Sequence, residues 1–205
     1  MGMEITDVLE ETAIQKNQNL IPFQERKIGT KKHGHICNFA SMMPSAEFTI
    51  REVEVRDNAP LAKMIRQVFD EHGAPNAGTV YSDPTTDNLF ELFRKENSIL
   101  WVAELQGEAI GCCGIYPTPN LPPHCAELVK FYLAASARGK GLGRMLLEKS
   151  LASARSMGYR EIYLESLPQF KTAIRIYEKL GFVFLDQPMG ASGHSGCNIW
   201  MNLKF

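Results

Sequence analysis

Hydrophobic and polar positions follow two clear periods after residue 47, and these periods predict strands and helices. Phe48 to Val55 alternates apolar and polar residues, which is the period of a half-buried strand. Asp57 or Asn58 is suited to cap the following helix, which carries Pro60 in its first turn. Apolar residues then recur at helical spacing, so that one face of this helix is predicted to be buried. That face comprises Leu61, Met64, Ile65, Val68 and Phe69.

The same periods continue to the last residue. A second helix is predicted to begin at Asp83-Pro84 and to hold Leu89, Phe90 and Phe93, and later helices are predicted over Leu142–Met157 and Gln169–Leu180. The resulting order, β-α-α-β-β-β-α-β-α-β-β, indicates an α/β (α+β) domain with a mixed sheet of six to seven strands and helices on both faces. The remaining strands are predicted over Ser98–Glu104, Ala109–Tyr116, Glu127–Leu133, Glu161–Ser166, Phe182–Leu185 and Asn198–Lys204.

Residues 1–46 lack this periodicity, so we predict a loosely ordered or partly helical N-terminal extension and one domain over residues 47–205. The extension contains His33-x-His35-x-Cys37, which offers three metal-capable side chains on one face of an extended segment. No fourth ligand stands nearby in the sequence, so no metal site is predicted.

Composition excludes several classes of protein. The 205 residues carry 22 Lys and Arg against 23 Asp and Glu, a formal net charge of −1, which disfavours nucleic-acid binding. No apolar run approaches the ~20 residues that would span a bilayer, so no membrane association is expected. The five cysteines are an odd number and do not suggest a set of disulfide bonds, which favours a reducing, cytoplasmic setting.

A glycine-rich segment between a predicted strand and helix carries the strongest chemical signal. It reads Arg138-Gly139-Lys140-Gly141-Leu142-Gly143-Arg144. Glycines allow sharp turns and close backbone approach, and the first turn of a helix leaves four amide donors unpaired. The segment therefore predicts an anion site for which a pyrophosphate is the natural ligand.

Three phosphate-binding patterns compete for this segment. A Walker loop needs Ser or Thr after Gly-Lys, and Gly141 stands there instead. The dinucleotide fingerprint needs a third glycine where Met145 or Leu146 stands. The pattern Arg/Gln-x-x-Gly-x-Gly/Ala is met by Arg138, Gly141 and Gly143.

With this loop and the segment Ala173–Phe182, the chain resembles the GNAT superfamily of acyl-CoA-dependent N-acetyltransferases. The resemblance covers Phe48 to Phe205 and implies the GNAT acyl-CoA N-acyltransferase fold, with a splay between the fourth and fifth strands. It implies acetyl-CoA as co-substrate and no metal. The residues that it assigns to the coenzyme are Phe131, Tyr132, Leu133, Arg138, Gly139, Lys140, Gly141, Leu142, Gly143 and Arg144.

The resemblance also implies two catalytic residues. Glu127 stands eleven positions before Arg138 and would act as general base, although a glutamate at the exposed start of a strand is the alternative. Tyr177 would protonate the departing thiolate, although its helical face also suits a place in the core. Many relatives carry Asn seven residues before this tyrosine, whereas this chain has Phe170, for which a packing role is predicted.

The acceptor is the least constrained part of the prediction. Tyr81, in the loop between the first two helices, and His194, in a glycine-rich turn, are candidate contacts with a small-molecule amine. Acetyl transfer to a small amine or amino-acid-like acceptor in a direct ternary complex is the first hypothesis, for a monomer or homodimer. The alternatives are a protein or peptide N-acetyltransferase, a non-catalytic acyl-CoA-binding module and a nucleotide-binding protein.

Overall fold

The centre of the fold is a mixed seven-stranded sheet, which the computed structural model of the protein describes within residues 48–205. The strand order is β1-β2-β3-β4-β5-β7-β6, and of the strand pairs in this part of the chain only β4 and β5 run parallel. The mixed sheet and the element order confirm the predicted fold. The strands are β1 (Phe48–Glu52), β2 (Ile99–Leu105), β3 (Glu108–Tyr116), β4 (Cys125–Leu133), β5 (Glu161–Ser166), β6 (Val183–Phe184) and β7 (Ile199–Lys204).

Within residues 48–205, two long helices and two short ones accompany the sheet: α1 (Asn58–His72), α2 (Leu89–Leu92), α3 (Leu142–Ser156) and α4 (Lys171–Lys179). Helix α1 ends at Gly73, whose left-handed backbone (φ 59°) suits a residue without a side chain. The predicted second helix is shorter than expected. A 3₁₀ turn over Pro84–Asp87 replaces its first part, because Asn88 leaves helical geometry at φ −133° and ψ 50°.

The helices cover both faces of the sheet and define two cores. Helix α3 buries an apolar stripe, including Leu146 and Leu147, against one face. Helix α1 buries its predicted stripe, including Leu61 and Ile65, against the other. Side chains that alternate along a strand therefore enter different cores. The two faces are here called the α3 face and the α1 face.

Strands β4 and β5 separate soon after they meet. Their pairing extends over three residue pairs, from Cys125↔Glu161 to Glu127↔Tyr163. Beyond Glu127, β4 continues for six residues paired with β3 on one side, and no pair with β5 is formed within the described residues. This divergence is the predicted splay between the fourth and fifth strands, and it opens a gap in the middle of the sheet.

The predicted N-terminal extension, with its His33-x-His35-x-Cys37 segment, lies outside the described residues. The extension and the division at residue 47 stay predictions. Within residues 48–205, no helix combines the length and the apolar character needed to span a bilayer.

Candidate active site

The gap between β4 and β5 opens into a cavity of about 510 Å³, which is within the range of small-molecule sites. One end is lined by the loop that precedes α3, and the other reaches the α1 face beside Glu127. A second cavity of about 380 Å³ adjoins it on the α1 face. The two cavities share four lining residues: Glu127, Val129, Lys130 and His194. A ligand in one cavity therefore meets a ligand in the other at these side chains.

The glycine-rich loop brings backbone to the first cavity. Gly139 (φ 76°) and Gly141 (φ 79°) have left-handed conformations, and α3 starts directly after them at Leu142. Arg138, Gly139, Gly141, Gly143 and Arg144 line the cavity. The side chain of Leu142 is buried in the α3 core and that of Lys140 is exposed, so neither lines it.

Arg138 is held from two sides. Its Nε donates a hydrogen bond of 3.0 Å to the Leu133 carbonyl, and its Nη2 lies 2.7 Å from Oε2 of Glu71 on α1. These contacts tie the loop to the end of β4 and to the last turn of α1. They fix the loop while leaving its glycine backbone facing the cavity.

Glu127 is buried, with 3% of its surface exposed, and lies where the cavities meet. The Thr118 hydroxyl donates a hydrogen bond of 2.5 Å to its Oε2. Burial raises the pKa of the Glu127 carboxyl to about 7, because a carboxylate loses favourable hydration in the interior. The alternative of an exposed glutamate at a strand start does not hold. A carboxyl that titrates near neutral pH suits proton transfer.

Glu165 and His194 lie beside Glu127. One ligand atom from each of the three lies within 4.8 Å of the others. The Tyr163 hydroxyl donates to Oε1 of Glu165 at 2.8 Å and the Ser192 hydroxyl donates to Oε2 at 2.9 Å, so both carboxylate oxygens are fixed. The cluster presents two carboxyl groups to one space, which suits a protonated amine. Two carboxylates and an imidazole are also ligands that a divalent cation accepts.

Asp83 joins the second cavity to the same cluster. Its Oδ1 accepts a hydrogen bond of 2.8 Å from the Thr85 amide and so caps the 3₁₀ turn over Pro84–Asp87. Its Oδ2 lies 3.2 Å from Nε2 of His194 and 3.3 Å from Nζ of Lys130. Burial raises the pKa of Asp83, but the hydrogen bond to His194 and the positive charge of Lys130 outweigh burial and hold that pKa well below its usual range.

Tyr177 lines the first cavity from α4. Its ring contacts the rings of Phe131 and Phe182, at centroid distances of 5.9 Å and 5.7 Å. Among the described residues no hydrogen-bond partner holds its hydroxyl. Burial raises the pKa of Tyr177, so its phenol keeps its proton at neutral pH. Tyr177 is thus both a core residue and a lining residue.

An aromatic cluster closes the α1 side of the first cavity. Phe170 contacts Phe69, His72 and Tyr132 with ring centroids 5.2 Å, 5.5 Å and 6.1 Å away, which confirms that it packs. Tyr81 contacts Phe69 at 5.9 Å and lines neither cavity. Of the two predicted acceptor contacts, His194 therefore reaches the cavities and Tyr81 supports their wall.

Lys130, Glu165 and Thr118 were missed by the sequence analysis. Lys130 carried a usable signal, since it is the one charged residue in Leu128–Leu133 of a strand predicted to lie inside the sheet. A lysine there must be buried, and buried charges are retained where they have partners or a role. Glu165 and Thr118 carried no such signal, because they reach the site through a neighbouring strand and a loop.

Comparison with known proteins agrees with this geometry. Residues 65–182 match the model of the acetyltransferase (GNAT) family. An uncharacterized N-acetyltransferase of Escherichia coli, YjgM, is 36% identical over 153 residues, which cover 74% of this chain and 92% of that protein. The chain therefore belongs to the GNAT family of acyl-CoA-dependent acetyltransferases.

Solved structures show the same fold. A GNAT-family acetyltransferase from Staphylococcus aureus Mu50 superposes with a TM-score of 0.68 at 18% identity, covering 77% of this chain and 99% of that one. The structure of yncA from Salmonella typhimurium with its cofactor acetyl-CoA gives 0.61 at 22% identity, covering 77% and 93%. At these identities the likeness establishes the fold, and the functional residues must be argued from this chain.

Proposed function

We propose that this protein transfers acetyl from acetyl-CoA to the primary amine of a small molecule, by direct attack within a ternary complex. The catalytic unit is residues 47–205. The observation that carries the proposal is the position of Glu127. This carboxyl, with its pKa raised to about 7, stands between the cavity beside the glycine loop and the cavity that opens on the α1 face.

The first cavity suits the coenzyme. The amides of Gly139 to Arg144 would bind its pyrophosphate at the start of α3, assisted by the charges of Arg138, Lys140 and Arg144. The pantetheine arm would lie in the gap beside Phe131, Tyr132 and Leu133. Coenzyme binding is supported by the structure of yncA, which shares the fold and was solved with acetyl-CoA.

The Leu133 amide is the proposed donor to the thioester carbonyl. The next amide, that of Ala134, donates to the Ile110 carbonyl on the β3 side at 2.9 Å. Amides alternate sides along an extended strand, so this alternation leaves the Leu133 amide for the gap. Such a donor stabilises the tetrahedral oxyanion by ~3–4 kcal/mol in other enzymes.

Proton transfer then has a donor and an acceptor. Glu127 takes a proton from the acceptor's ammonium, and the free amine attacks the thioester carbonyl carbon to form a C–N bond. The C–S bond breaks, and Tyr177 gives its proton to the departing thiolate. As the amide forms, the second proton of the nitrogen passes through solvent to the tyrosinate, and Glu127 releases its proton to solvent. No covalent enzyme intermediate is needed.

The second cavity supports a small acceptor in preference to a peptide. Its volume of about 380 Å³ matches a molecule of amino-acid or amino-sugar size. Its wall includes the glycine-rich turn, which is fixed by backbone hydrogen bonds from Ala191 to Pro119 and from Gly196 to Gly78. These hydrogen bonds give that wall a fixed shape, and a cavity of this volume with a fixed wall suits a compact ligand.

The test is thiol release from acetyl-CoA across a panel of small primary amines, with product mass to confirm acetylation. Wild-type protein should turn over at least one amine, and Glu127→Gln should lower kcat by about 10²–10⁴-fold. Glu108→Gln, a change of the same kind at an exposed hairpin position, should leave the rate unchanged. Coenzyme A binding by calorimetry without thiol release from any amine would contradict the proposal and indicate a binding module.

A further inference from the structure

A lysine occupies a strained position in the middle of β4. Side chains alternate regularly up to that point: Ala126 and Leu128 enter the α3 core, and Val129 packs against the α1 core. Lys130 has a left-handed backbone conformation (φ 54°), which is costly for a residue with a Cβ, and the pairing of β3 with β4 shifts register beside it.

This irregularity decides which face receives the lysine. Regular alternation would send Lys130 to the α3 face with Leu128. Instead its Nζ bonds to Thr86 and Asp83, which both belong to the segment on the α1 face, and the next residue, Phe131, returns to the α3 core. The strain therefore brings an ammonium group to the acceptor side. Backbone strain held in place by its surroundings is concentrated at functional sites.

The ammonium is buried and incompletely paired. Only 3% of the side chain is exposed. Nζ donates to the Thr86 hydroxyl at 3.0 Å and to Oδ2 of Asp83 at 3.3 Å. An ammonium has three protons, and among the described residues these two groups are its only acceptors. Lys130 lines both cavities, so its remaining proton has open space in which to meet a ligand.

The charged groups around Lys130 would orient a ligand that carries both an ammonium and a carboxylate. Asp83 already contacts Lys130 and His194 through its Oδ2, and Glu165 accepts one hydrogen bond on each oxygen. Glu127 and Glu165 remain available to an ammonium. A zwitterion thus finds carboxyl groups for its amine and a buried cation for its carboxylate within one space.

We propose that Lys130 binds a carboxylate of the acceptor, and that the acceptors are α-amino acids or derivatives that keep the carboxylate next to the reacting amine. This rests on the proposed function and narrows its substrate class. Lys130 acts here as a specificity residue, and the transfer chemistry remains with the thioester, Glu127 and Tyr177.

The experiment compares the common L-amino acids with their α-carboxamides as acceptors for wild-type protein. Amidation lowers the pKa of the amine and raises the fraction of free amine, so reactivity alone favours the amides. We expect the reverse, with kcat/KM at least 10-fold higher for the best amino acid than for its amide. Lys130→Met should reduce this ratio to about 1, chiefly through KM of the acid, whereas Lys63→Met on the exposed side of α1 should keep it.

A binding measurement removes the dependence on turnover. Calorimetry on protein saturated with coenzyme A should show that the amino acid binds more tightly than its amide, and that Lys130→Met loses this difference. Amides or simple amines that are used as well as acids would overturn the proposal while leaving the acetyltransferase intact. Binding of acids without any acetylation would instead contradict the proposed function. If Lys130→Met does not fold, the wild-type comparison of acid with amide decides alone.

Discussion

The two cavities that meet at Glu127 differ in the groups that they present to a ligand: backbone at the glycine-rich loop of the first, and buried polar side chains in the second. At its proposed pyrophosphate end, the first cavity presents backbone from one short stretch, residues 138–144, in which Gly139 and Gly141 have left-handed conformations. The proposed acceptor side uses buried charged and hydroxyl side chains from β4, the loop that follows β3, the segment before α2 and the glycine-rich turn.

This difference matches what each side must do. A site for a constant ligand can rely on amides, which every sequence supplies and which require only the right backbone path. A site for a variable ligand needs side chains, whose burial costs energy and perturbs pKa values. If the second cavity holds the acceptor as proposed, we expect chemical selectivity to be concentrated there, together with the loss of stability that buried charge brings.

The largest effect should appear when the buried charge on the acceptor side is removed. Because the pKa of Glu127 is about 7 in the folded protein and its ordinary value is 4.5, the folded state binds the extra proton between these values. Wild-type stability is therefore lost as pH rises from about 4.5 to 7, by about 3 kcal/mol. The Glu127→Gln variant should not lose this stability as pH rises, because a glutamine side chain does not ionise.

Denaturant unfolding of both proteins at pH 4.5 and pH 8 measures the effect. The stability of Glu127→Gln relative to wild type should increase by about 3 kcal/mol between the two pH values. In activity, kcat/KM of wild type should rise with pH through about 7, since the base must be ionised. A pH-independent stability difference would show that this carboxyl is not the buried, proton-binding group described above.

The next largest effect is expected at Tyr177, the proposed proton donor to the departing thiolate. Tyr177→Phe keeps the ring contacts with Phe131 and Phe182 and removes only the hydroxyl. We expect kcat to fall by about 10²-fold with an unchanged unfolding midpoint. Steady-state rates together with thermal unfolding measure this, and turnover at the wild-type rate would remove Tyr177 from the mechanism.

The smallest effect should come from the backbone of the coenzyme side. Gly141→Ala meets no atom within 4 Å but strains a backbone with φ 79°. Gly158→Ala, at the end of α3, meets the same open space at φ 88° and serves as a matched control. Both should lose ~1–2 kcal/mol of stability. Calorimetry should show coenzyme A binding weakened about tenfold by Gly141→Ala alone, and equal affinities in the two variants would argue against the loop as the pyrophosphate site.

The same contrast explains what could be predicted from the sequence. The glycine loop was found because its signal is contiguous and its mechanism is local. The order of strands and helices was predicted because burial imposes its period on each element independently. Helix α2 was predicted too long, since the non-helical backbone at Asn88 has no counterpart in the apolar pattern.

The acceptor side resisted prediction for the opposite reason. Its members come from distant parts of the chain, and only the fold brings Asp83 next to His194, 111 positions later. The irregular backbone at Lys130 reverses the face that a strict period of two would assign, so the period itself pointed to the wrong core. Tyr81 was chosen for its loop, and in the structure it packs against Phe69 and lines neither cavity.

The short pairing between β4 and β5 has a consequence for the molecule as a whole. Within the sheet, three residue pairs join the part made of β5, β7 and β6 to the part made of β1 to β4, and the α3 core packs across both parts. An extended ligand that hydrogen-bonds along the free edge of β4 would occupy the place of the missing strand contacts, in the manner of strand addition. The bound cosubstrate would then stabilise the sheet across the gap. The cooperativity with which the two parts of the sheet unfold would depend on the fraction of protein that has the cosubstrate bound.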